Sequence, residues 1–488
     1  MQLGRIPIFI LIISLVLGLA KANSQSSGTN LLEFQYGNIP GADDKSFPSI
    51  FDRTTIAYRK SGIRASITVE QYHSEYSDRN YINLAQGLVQ YKKKKWDLKL
   101  GNIYETIGRG SLLRAFEIKG AVIEELGFRS RQYFHRDFLG ASVKYRTKKL
   151  TIQAIRADVL NILAPTFSRE DRRTDLISSL SLTYNYVKKH KFGINIMNHE
   201  NANGNANNFG SILLDGPIAG PFSYYVEWAN GLTQSDRYAL YGGLTGYIEG
   251  VSINFELKSY RDFIIGSGIN EPPALIQDQT YRVLNRSTHV SNPSDEDGYQ
   301  IDLSYTFNNG MILVFNHALA NNAVGSTSFV FQEFFIELNA SFTKHIDSKI
   351  FLDYAKDPFK DQDNRFSLGF YNTILVSKKL NIISEIELQR FERFGAKVNN
   401  QSILIGLNLA SKYSISLLFE HTNDPFLLLD INSSNRKYLG LNASYKPNYK
   451  NSIQLFIGER QGGPACSSGV CYEILDFKGF ETRWTTRF

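Results

Sequence analysis

Apolar and polar residues alternate with a period of two along most of the chain, from Asn30 onward. In the segment 253–258, Ile253, Phe255 and Leu257 fall on one face of an extended chain, and polar residues fall on the other. Successive side chains of a β-strand point to opposite faces, so the pattern predicts strands with one oily and one wet side. About 24 such segments of roughly 8 to 12 residues follow one another. A soluble β-sandwich also alternates, so this pattern alone does not decide the fold.

The connections between these segments alternate in length. The short ones are 60–62, 92–95, 147–149, 188–191, 215–220, 246–250, 308–310, 343–347, 377–379, 411–412 and 446–450. The long ones are 38–51, 74–81, 104–137, 158–177, 199–208, 231–237, 261–297, 319–328, 357–364, 392–400, 422–435 and 460–475. Short turns at one rim and long loops at the other are typical of outer-membrane barrels, with the short turns in the periplasm. The sequence therefore predicts an all-β fold, a transmembrane antiparallel barrel of about 24 strands, within a range of 20 to 26.

The pattern of charged, apolar and small residues in 1–22 predicts a secretory signal peptide. Arg5 supplies the positive charge, 6–20 form an apolar core, and the small residues Ala20 and Ala22 fit a cleavage site. The alternative interpretation is a membrane anchor, but the apolar run is short and ends in a processing motif. We therefore expect residues 23–488 to form a single barrel in the outer membrane of a Gram-negative bacterium.

Composition excludes several other classes of protein. No run after the first twenty residues approaches the ~18 apolar residues of a membrane helix, and the 42% hydrophobic and 13% aromatic content argues against disorder. The formal net charge of +7 falls to about +5 without Arg5 and Lys21. This excess is small and scattered, so we expect no nucleic-acid partner. The many Tyr and Phe residues fit a lipid-facing surface, and membrane lipids are the expected surroundings.

The carboxyl end carries a candidate assembly signal. Phe480, Trp484 and Phe488 share one face of the last predicted strand, 477–488, and the sequence ends on Phe488. A terminal aromatic residue on an amphipathic last strand resembles the signal that the bacterial barrel assembly machinery reads. We therefore assign Trp484 and Phe488 to this signal and expect that machinery as a partner during biogenesis.

Two cysteines lie five positions apart in a loop rich in Gly and Ser. In an exported chain Cys466 and Cys471 most simply form one local disulfide. A metal site is the alternative, but it would need further ligands nearby.

Two segments resemble a family of uncharacterised outer-membrane barrels found in Bacteroidetes. They are GNIYETIGRG at 101–110 and GGPACSSGVCY at 462–472, with 114–117 as a continuation of the first. The resemblance implies a single barrel over the whole mature length. It implies no activity.

The two longest connections, 104–137 and 261–297, are predicted to fold into the lumen as plugs. A barrel of this size is too wide for its wall side chains to fill, and only some eight mature residues precede the first strand. Gly101, Gly108 and Gly110 would allow sharp turns at positive φ. The charged residues predicted to form a constriction are Glu105, Arg109, Arg114, Glu117, Arg129 and Arg131. The alternative is a solvated extracellular loop whose charges pair with each other.

Polar residues on the wet side of the strands are predicted to line the lumen. The set is Glu256, Lys258, Asp302, Glu337, Glu385, Glu387 and Glu420. They would line a hydrated path, although any barrel lumen is polar because water fills it.

The sequence favours a channel or porin-like protein that passes solutes across the outer membrane. The alternative is a non-conducting structural barrel, or a partner of assembly or secretion complexes, docked to lipoproteins or other outer-membrane proteins. Common hydrolase, metalloprotease and phosphate-binding motifs are missing. We therefore expect no enzyme, although an outer-membrane hydrolase stays open, and no cofactor or metal.

Overall fold

The computed structural model describes residues 25–40, 45–126, 128–160, 174–186, 189–233, 236–266, 268–275, 280–290, 294–425, 435–467 and 470–488. The predicted signal peptide, 1–22, lies outside these residues. Among the described residues, no helix is long and apolar enough to span a bilayer.

Twenty-four strands form one sheet. They are β1 (Ser26–Asn38), β2 (Phe47–Lys60), β3 (Ile63–Ser74), β4 (Tyr81–Lys93), β5 (Trp96–Ile103), β10 (Phe138–Arg146), β11 (Leu150–Leu160), β12 (Thr174–Asn185), β13 (Lys191–Glu200), β14 (Ala206–Pro217), β15 (Ser223–Gly231), β16 (Tyr238–Ile248), β17 (Val251–Arg261), β18 (Asp295–Thr306), β19 (Ile312–Val324), β20 (Thr327–Thr343), β21 (Ile346–Asp357), β22 (Gln362–Ser377), β23 (Leu380–Arg393), β24 (Ala396–Leu409), β25 (Tyr413–Thr422), β26 (Arg436–Asn448), β27 (Asn451–Arg460) and β30 (Phe477–Arg487). The connections contain β6 (Thr106–Ile107), β7 (Leu113–Arg114), β8 (Phe116–Glu124), β9 (Arg131–Arg136), β28 (Gly463–Ser467), β29 (Val470–Ile474) and the helix α1 (Arg282–Ser287).

The sheet closes on itself. Each wall strand pairs antiparallel with its neighbours, β5 pairs with β10 across the connection 104–137, and β1 pairs with both β2 and β30. The closing pair places Leu32 opposite Trp484. Closure removes the unpaired edges of the sheet, which a lipid environment does not tolerate. The predicted fold, an antiparallel barrel of about 24 strands, is confirmed, and it is an outer-membrane-type barrel.

The outer face of the wall is apolar. Along β17 and β23, exposed Leu257, Ile386 and Leu388 alternate with the inward Lys258 and Glu387. Exposed aromatic residues recur near the short-turn rim: Tyr58, Tyr91, Trp96, Tyr184, Tyr247, Tyr305, Tyr413 and Tyr445. Aromatic girdles of this kind mark the boundary between lipid and water in membrane barrels.

Some connections predicted to be long are tight turns. Only two residues separate β19 from β20, and only Phe394 and Gly395 separate β23 from β24. The prediction of long loops at 319–328 and 392–400 is therefore wrong, and 199–208 shrinks to the five residues between β13 and β14. In each case the strands extend into the predicted loop, and their asparagine-containing ends resemble a loop in sequence.

Candidate functional site in the lumen

Two connections fold inward and fill the long-loop half of the barrel. We call the described residues of 104–137 plug 1 and those of 262–294 plug 2. Both contact the inner side of the wall: plug 1, for example, contacts Glu33 and Gln35, which alternate with the exposed Phe34 and Tyr36 on β1. The long loops therefore replace water in this half of the lumen.

Plug 1 is tied to β1 by two buried arginines. Arg131, 4% exposed, pairs with Glu33 at 2.8 Å through Nη1 and with Glu124 at 2.9 Å through Nε. Arg129, 2% exposed, donates to the side chain of Gln35 and to the backbone carbonyl of Gly37. Charges this deeply buried need compensating partners, and these contacts supply them.

The start of plug 1 is fixed by charge and by backbone geometry. Glu105 contacts Lys99 at 2.6 Å and Lys144 at 3.3 Å. Burial raises the pKa of Glu105, but the hydrogen bond from Lys99 and the charge of Lys144 outweigh it, so its pKa lies below the ordinary range. Gly108 has a φ of 59°, and a Cβ there would lie 2.3 Å from a carboxylate oxygen of Glu227. Positive φ at the three predicted glycines (φ is 108° at 101 and 102° at 110) is confirmed.

An apolar core lies between plug 1 and the wall. Leu112 and Leu113 of the plug pack in one cluster with inward residues of β11 to β14, among them Ile155, Met197 and Phe209. The inner face of the wall is therefore apolar in this sector. Plug 1 has excluded water from it, and burying apolar surface stabilises its position.

Plug 2 docks through the helix α1. The Glu387 carboxylate accepts hydrogen bonds from the backbone N–H groups of Arg282 (3.1 Å) and Val283 (2.8 Å). Free N–H groups at a helix start favour such a negative partner. At the other end of α1, the Arg365 guanidinium donates to the Ser287 carbonyl at 2.8 Å. The helix is thus held at both termini by the wall.

The two plugs also contact each other. Arg136 of plug 1 pairs with Glu271 of plug 2 at 2.6 Å, and the Asn270 amide donates to the Ser111 carbonyl at 3.0 Å. The backbone N–H of Arg114 donates to the carbonyl of Ile269 at 2.9 Å. These contacts join the plugs into one layer across the barrel.

A third connection covers this layer beside β27 and β30. The hairpin of β28 and β29 lies against α1 on one side and β8 on the other. Its register places the Cα atoms of Cys466 and Cys471 directly opposite each other. The side chains of both cysteines lie outside the described residues, so the predicted disulfide stays a prediction.

A cavity of about 580 Å³ remains between the plugs and the wall strands β24 to β27 and β30. Its charged lining residues are Glu124, Arg131, Arg282, Arg286, Glu420, Arg460, Glu481 and Arg483. Toward the short-turn rim the lining becomes Ser414, Ser416, Asn442, Ser444 and Gln454. Apolar residues, among them Leu404, Leu418 and Leu455, complete the lining, so the cavity is partly polar and most strongly charged beside the plugs.

A recess of about 320 Å³ continues the cavity toward the short-turn rim. Both are lined by Ser414 and Ser444, whose hydroxyl oxygens are 2.6 Å apart. The charged residues that line the recess are Lys378, Lys379, Lys412 and Lys446. The cavity therefore borders the plug layer and the recess borders the short-turn rim, with these two serines between them.

The structure does not bring the six predicted constriction residues into one ring. Arg131 lines the cavity, whereas Glu105, Arg109 and Arg129 tie plug 1 to different strands. Glu117 lies 3.7 Å from Arg53 of β2. The side chain of the sixth residue, Arg114, packs over the Phe116 ring.

The seven predicted lumen-lining residues lie on the inner face of their strands, but several are covered. Lys258, Glu387 and Glu420 are at most 3% exposed and are held by Glu296, α1 and Arg286 respectively. The hydroxyls of Tyr241 and Tyr281 donate to Glu256 and Glu337. Asp302 and Glu385 are half-buried. Among the described residues no group of three or more His, Cys, Asp or Glu side chains is placed to hold a metal ion.

Sequence reasoning missed most of the cavity's arginines. Arg460 and Arg483 lie on inward positions of β27 and β30. The alternation of apolar and polar residues along these strands could have identified both positions as inward. Arg282 and Arg286 are four residues apart, which places them on one side of a helix, but six helical residues within a long connection give a weak signal.

Comparison with known proteins gives a family match over part of the chain. Residues 251–488 match the profile of a family of unknown function (DUF6029). No functionally curated protein matches the chain. The match includes the cysteine segment at 462–472 and excludes the segment at 101–110.

Several solved structures are similar in outline. The outer membrane protein OpdK from Pseudomonas aeruginosa aligns with a TM-score of 0.39 and 11% identity, covering 79% of this chain and 98% of its own. A variant of the ferric enterobactin receptor PfeA from the same organism gives 0.49 and 9%, covering 96% of this chain and 81% of its own. The siderophore receptor PirA, also from that organism, gives 0.44 and 8%, covering 96% and 80%.

Proposed function

We propose that the protein is a channel that passes small solutes across the outer membrane of a Gram-negative bacterium. The observation that carries the proposal is the charged cavity of about 580 Å³ beside the plugs, which shares Ser414 and Ser444 with the recess at the short-turn rim. Pockets that enclose small molecules span roughly 300–1,000 Å³. The proposed path lies between the plug layer and the strands β24 to β27 and β30.

The plugs support a selective channel over an open pore. A barrel of this strand number without plugs would enclose a wide aqueous lumen. Here plug 1 and plug 2 occupy one layer and leave a charged sector on one side. Size and charge of a solute would then decide its passage, as in other constricted pores.

Conductance of purified protein in a planar bilayer tests the proposal. We expect small steady currents from the wild type and larger currents after deletion of 106–134, which removes most of plug 1. Ser444→Trp should reduce the wild-type current, because Ser444 lines both the cavity and the recess. Ser384→Trp is the matched control, since Ser384 alternates with Glu385 and shares the outer face with Ile386. Silent bilayers from both the wild type and the deletion would refute a channel.

A second candidate is a non-conducting barrel that serves as a structural or assembly partner. The buried ion pairs that anchor plug 1, such as Arg131 with Glu33, favour it because they oppose opening. Crosslinking in native membranes followed by purification should then recover a stoichiometric lipoprotein or outer-membrane protein. If the barrel is purified from a mild detergent extract without any bound protein, that result would argue against this candidate.

Export through the predicted signal peptide, and short turns that face the periplasm, belong to the same proposal. The apolar outer wall and its aromatic girdle near the short-turn rim support a membrane location. The expectation that the chain is not an enzyme stays a prediction.

A further inference from the structure

The charges along the proposed path are unevenly distributed in sign. The cavity is lined by five arginines and three glutamates. The recess below it is lined by four lysines and by no carboxylate among the described residues. The path thus presents nine basic side chains against three acidic ones.

Ion pairing leaves part of this positive charge available. Arg286 pairs with Glu420 and Arg460 pairs with Glu481, both at 2.8 Å. Arg131 and Arg483 share the buried Glu33, so these four arginines are partly neutralised. Within the described part of the chain, no ion pair joins the half-buried Arg282 side chain to a carboxylate, although its charge acts on that of Glu385. Arg282 lines the cavity, one helical turn before Arg286. Its guanidinium offers five N–H donors in a planar fork that suits carboxylate and phosphate oxygens.

The opposite sign occurs in another sector of the same lumen. A separate recess of about 430 Å³ beside β20 to β23 is lined by Asp347, Glu385 and Lys349, an excess of one acid. The basic character is therefore a property of the proposed path and not of the lumen in general. Low-dielectric walls lined with one sign of charge raise the local concentration of the opposite ion.

From these charges we infer that the channel is anion-selective and that its solutes are small anions bearing carboxylate or phosphate groups. The inference rests on the proposed channel function and names its substrate class. The turn lysines collect anions at the short-turn mouth, and Arg282 binds them beside the plugs. The two serines at the junction supply neutral hydroxyl groups between the two basic regions.

Reversal potentials in a potassium chloride gradient test the inference. The wild type should show a chloride-to-potassium permeability ratio above unity. Changing all four recess lysines, Lys378, Lys379, Lys412 and Lys446, to Glu should lower the ratio severalfold. The matched control changes Lys92, Lys93, Lys94 and Lys95 to Glu, at the end of β4 and in the turn before β5, and it should leave the ratio nearly unchanged. All eight lysines are exposed, so we expect both variants to fold. A shift in gel mobility on heating checks that each barrel has formed.

Two further arms separate the ligand classes and the binding site. Sodium succinate and sodium phosphate, added separately, should each reduce the chloride current, and the more effective one identifies the preferred group. Arg282→Gln should weaken this block severalfold, whereas Asp347→Asn in the other recess should not. A current with a chloride-to-potassium permeability ratio at or below unity would overturn anion selectivity but not the channel function. Equal effects of the two sets of lysine substitutions would have the same meaning. Absence of current in the wild type and in the deletion of 106–134 would instead overturn the channel itself.

Discussion

Glu33 is a buried attachment point of plug 1 on the wall. It is fully buried on β1 and lies between two guanidinium groups, Arg131 of plug 1 at 2.8 Å and Arg483 of β30. Removing one member of a buried ion pair leaves an uncompensated charge, which typically costs about 3–5 kcal/mol. Plug 1 also has other attachments, so the loss should loosen its docking without unfolding the wall.

We therefore predict that Glu33→Gln releases plug 1 locally. Trypsin should cleave after Arg129 or Arg131 much faster than in the wild type, because both arginines are now at most 4% exposed. Mass spectrometry of the fragments identifies the site. Glu200→Gln, at the exposed end of β13, is the control and should leave the digestion pattern unchanged. Equal cleavage rates in the wild type and in Glu33→Gln would mean that this ion pair does not anchor the plug.

For single residues, the sequence predicts the backbone conformation better than it predicts the side-chain partners. The glycines of plug 1 were identifiable because sharp inward turns require positive φ, which only glycine adopts cheaply. The pairing of Glu33 with Arg131 was not identifiable, because the two are 98 positions apart and meet only after the barrel closes and the loop enters it. Residues such as Arg131 could be selected by their charge, but not assigned to a strand.

Among the elements, the strands are predicted well in number and less well in their ends. The turn at Phe394 and Gly395 has φ values of 48° and 73°, the geometry of a tight two-residue hairpin. Glycine at the second position is the expected residue, but phenylalanine at the first is unusual, so the sequence lacks the common signal of such a turn. Strand ends beyond the apolar band therefore have to be located from pairing, which sequence alone does not give.

The hairpin of β28 and β29 contains the two cysteines at opposed positions. Directly opposed residues on antiparallel strands have Cα atoms roughly 4.5–5.5 Å apart, within the range that a disulfide spans. The opposed Cys466 and Cys471 should therefore be oxidised in the exported protein. Without reduction, mass spectrometry should find their peptides linked and unreactive toward iodoacetamide; after dithiothreitol both should be alkylated. Cys466→Ser is the control, and in it Cys471 should react without any reductant. Alkylation of both cysteines in unreduced protein would contradict the disulfide.

At the scale of the whole molecule, the alternation pattern and the connections together identify the barrel. A wall with lipid outside and polar groups inside requires alternation everywhere, so the closed 24-stranded sheet could be predicted. The division of the lumen into a plugged part and a charged path could not. It depends on which wall sector each plug contacts, and that choice is made by apolar packing against residues such as Met197 and by pairs such as Arg286 with Glu420.

Phe488 lies where the barrel closes, at the seam of β1 and β30. Gly28 and Phe488 exchange two backbone hydrogen bonds, of 2.8 and 3.0 Å, at the seam of β1 and β30. The Phe488 ring lies so close to Gly28 that a Cβ there would come within 2.2 Å of it.

Phe488→Leu keeps the backbone pairing and removes only the aromatic ring. If the ring is the assembly signal, this variant should reach the outer membrane in much smaller amounts, while Phe488→Tyr should behave as the wild type. Refolding of purified protein into detergent, followed by gel mobility before and after heating, should show equal yields for all three because no assembly machinery is present. A loss of Phe488→Leu in both assays would assign the ring to the stability of the seam, and a loss in neither would remove it from the signal.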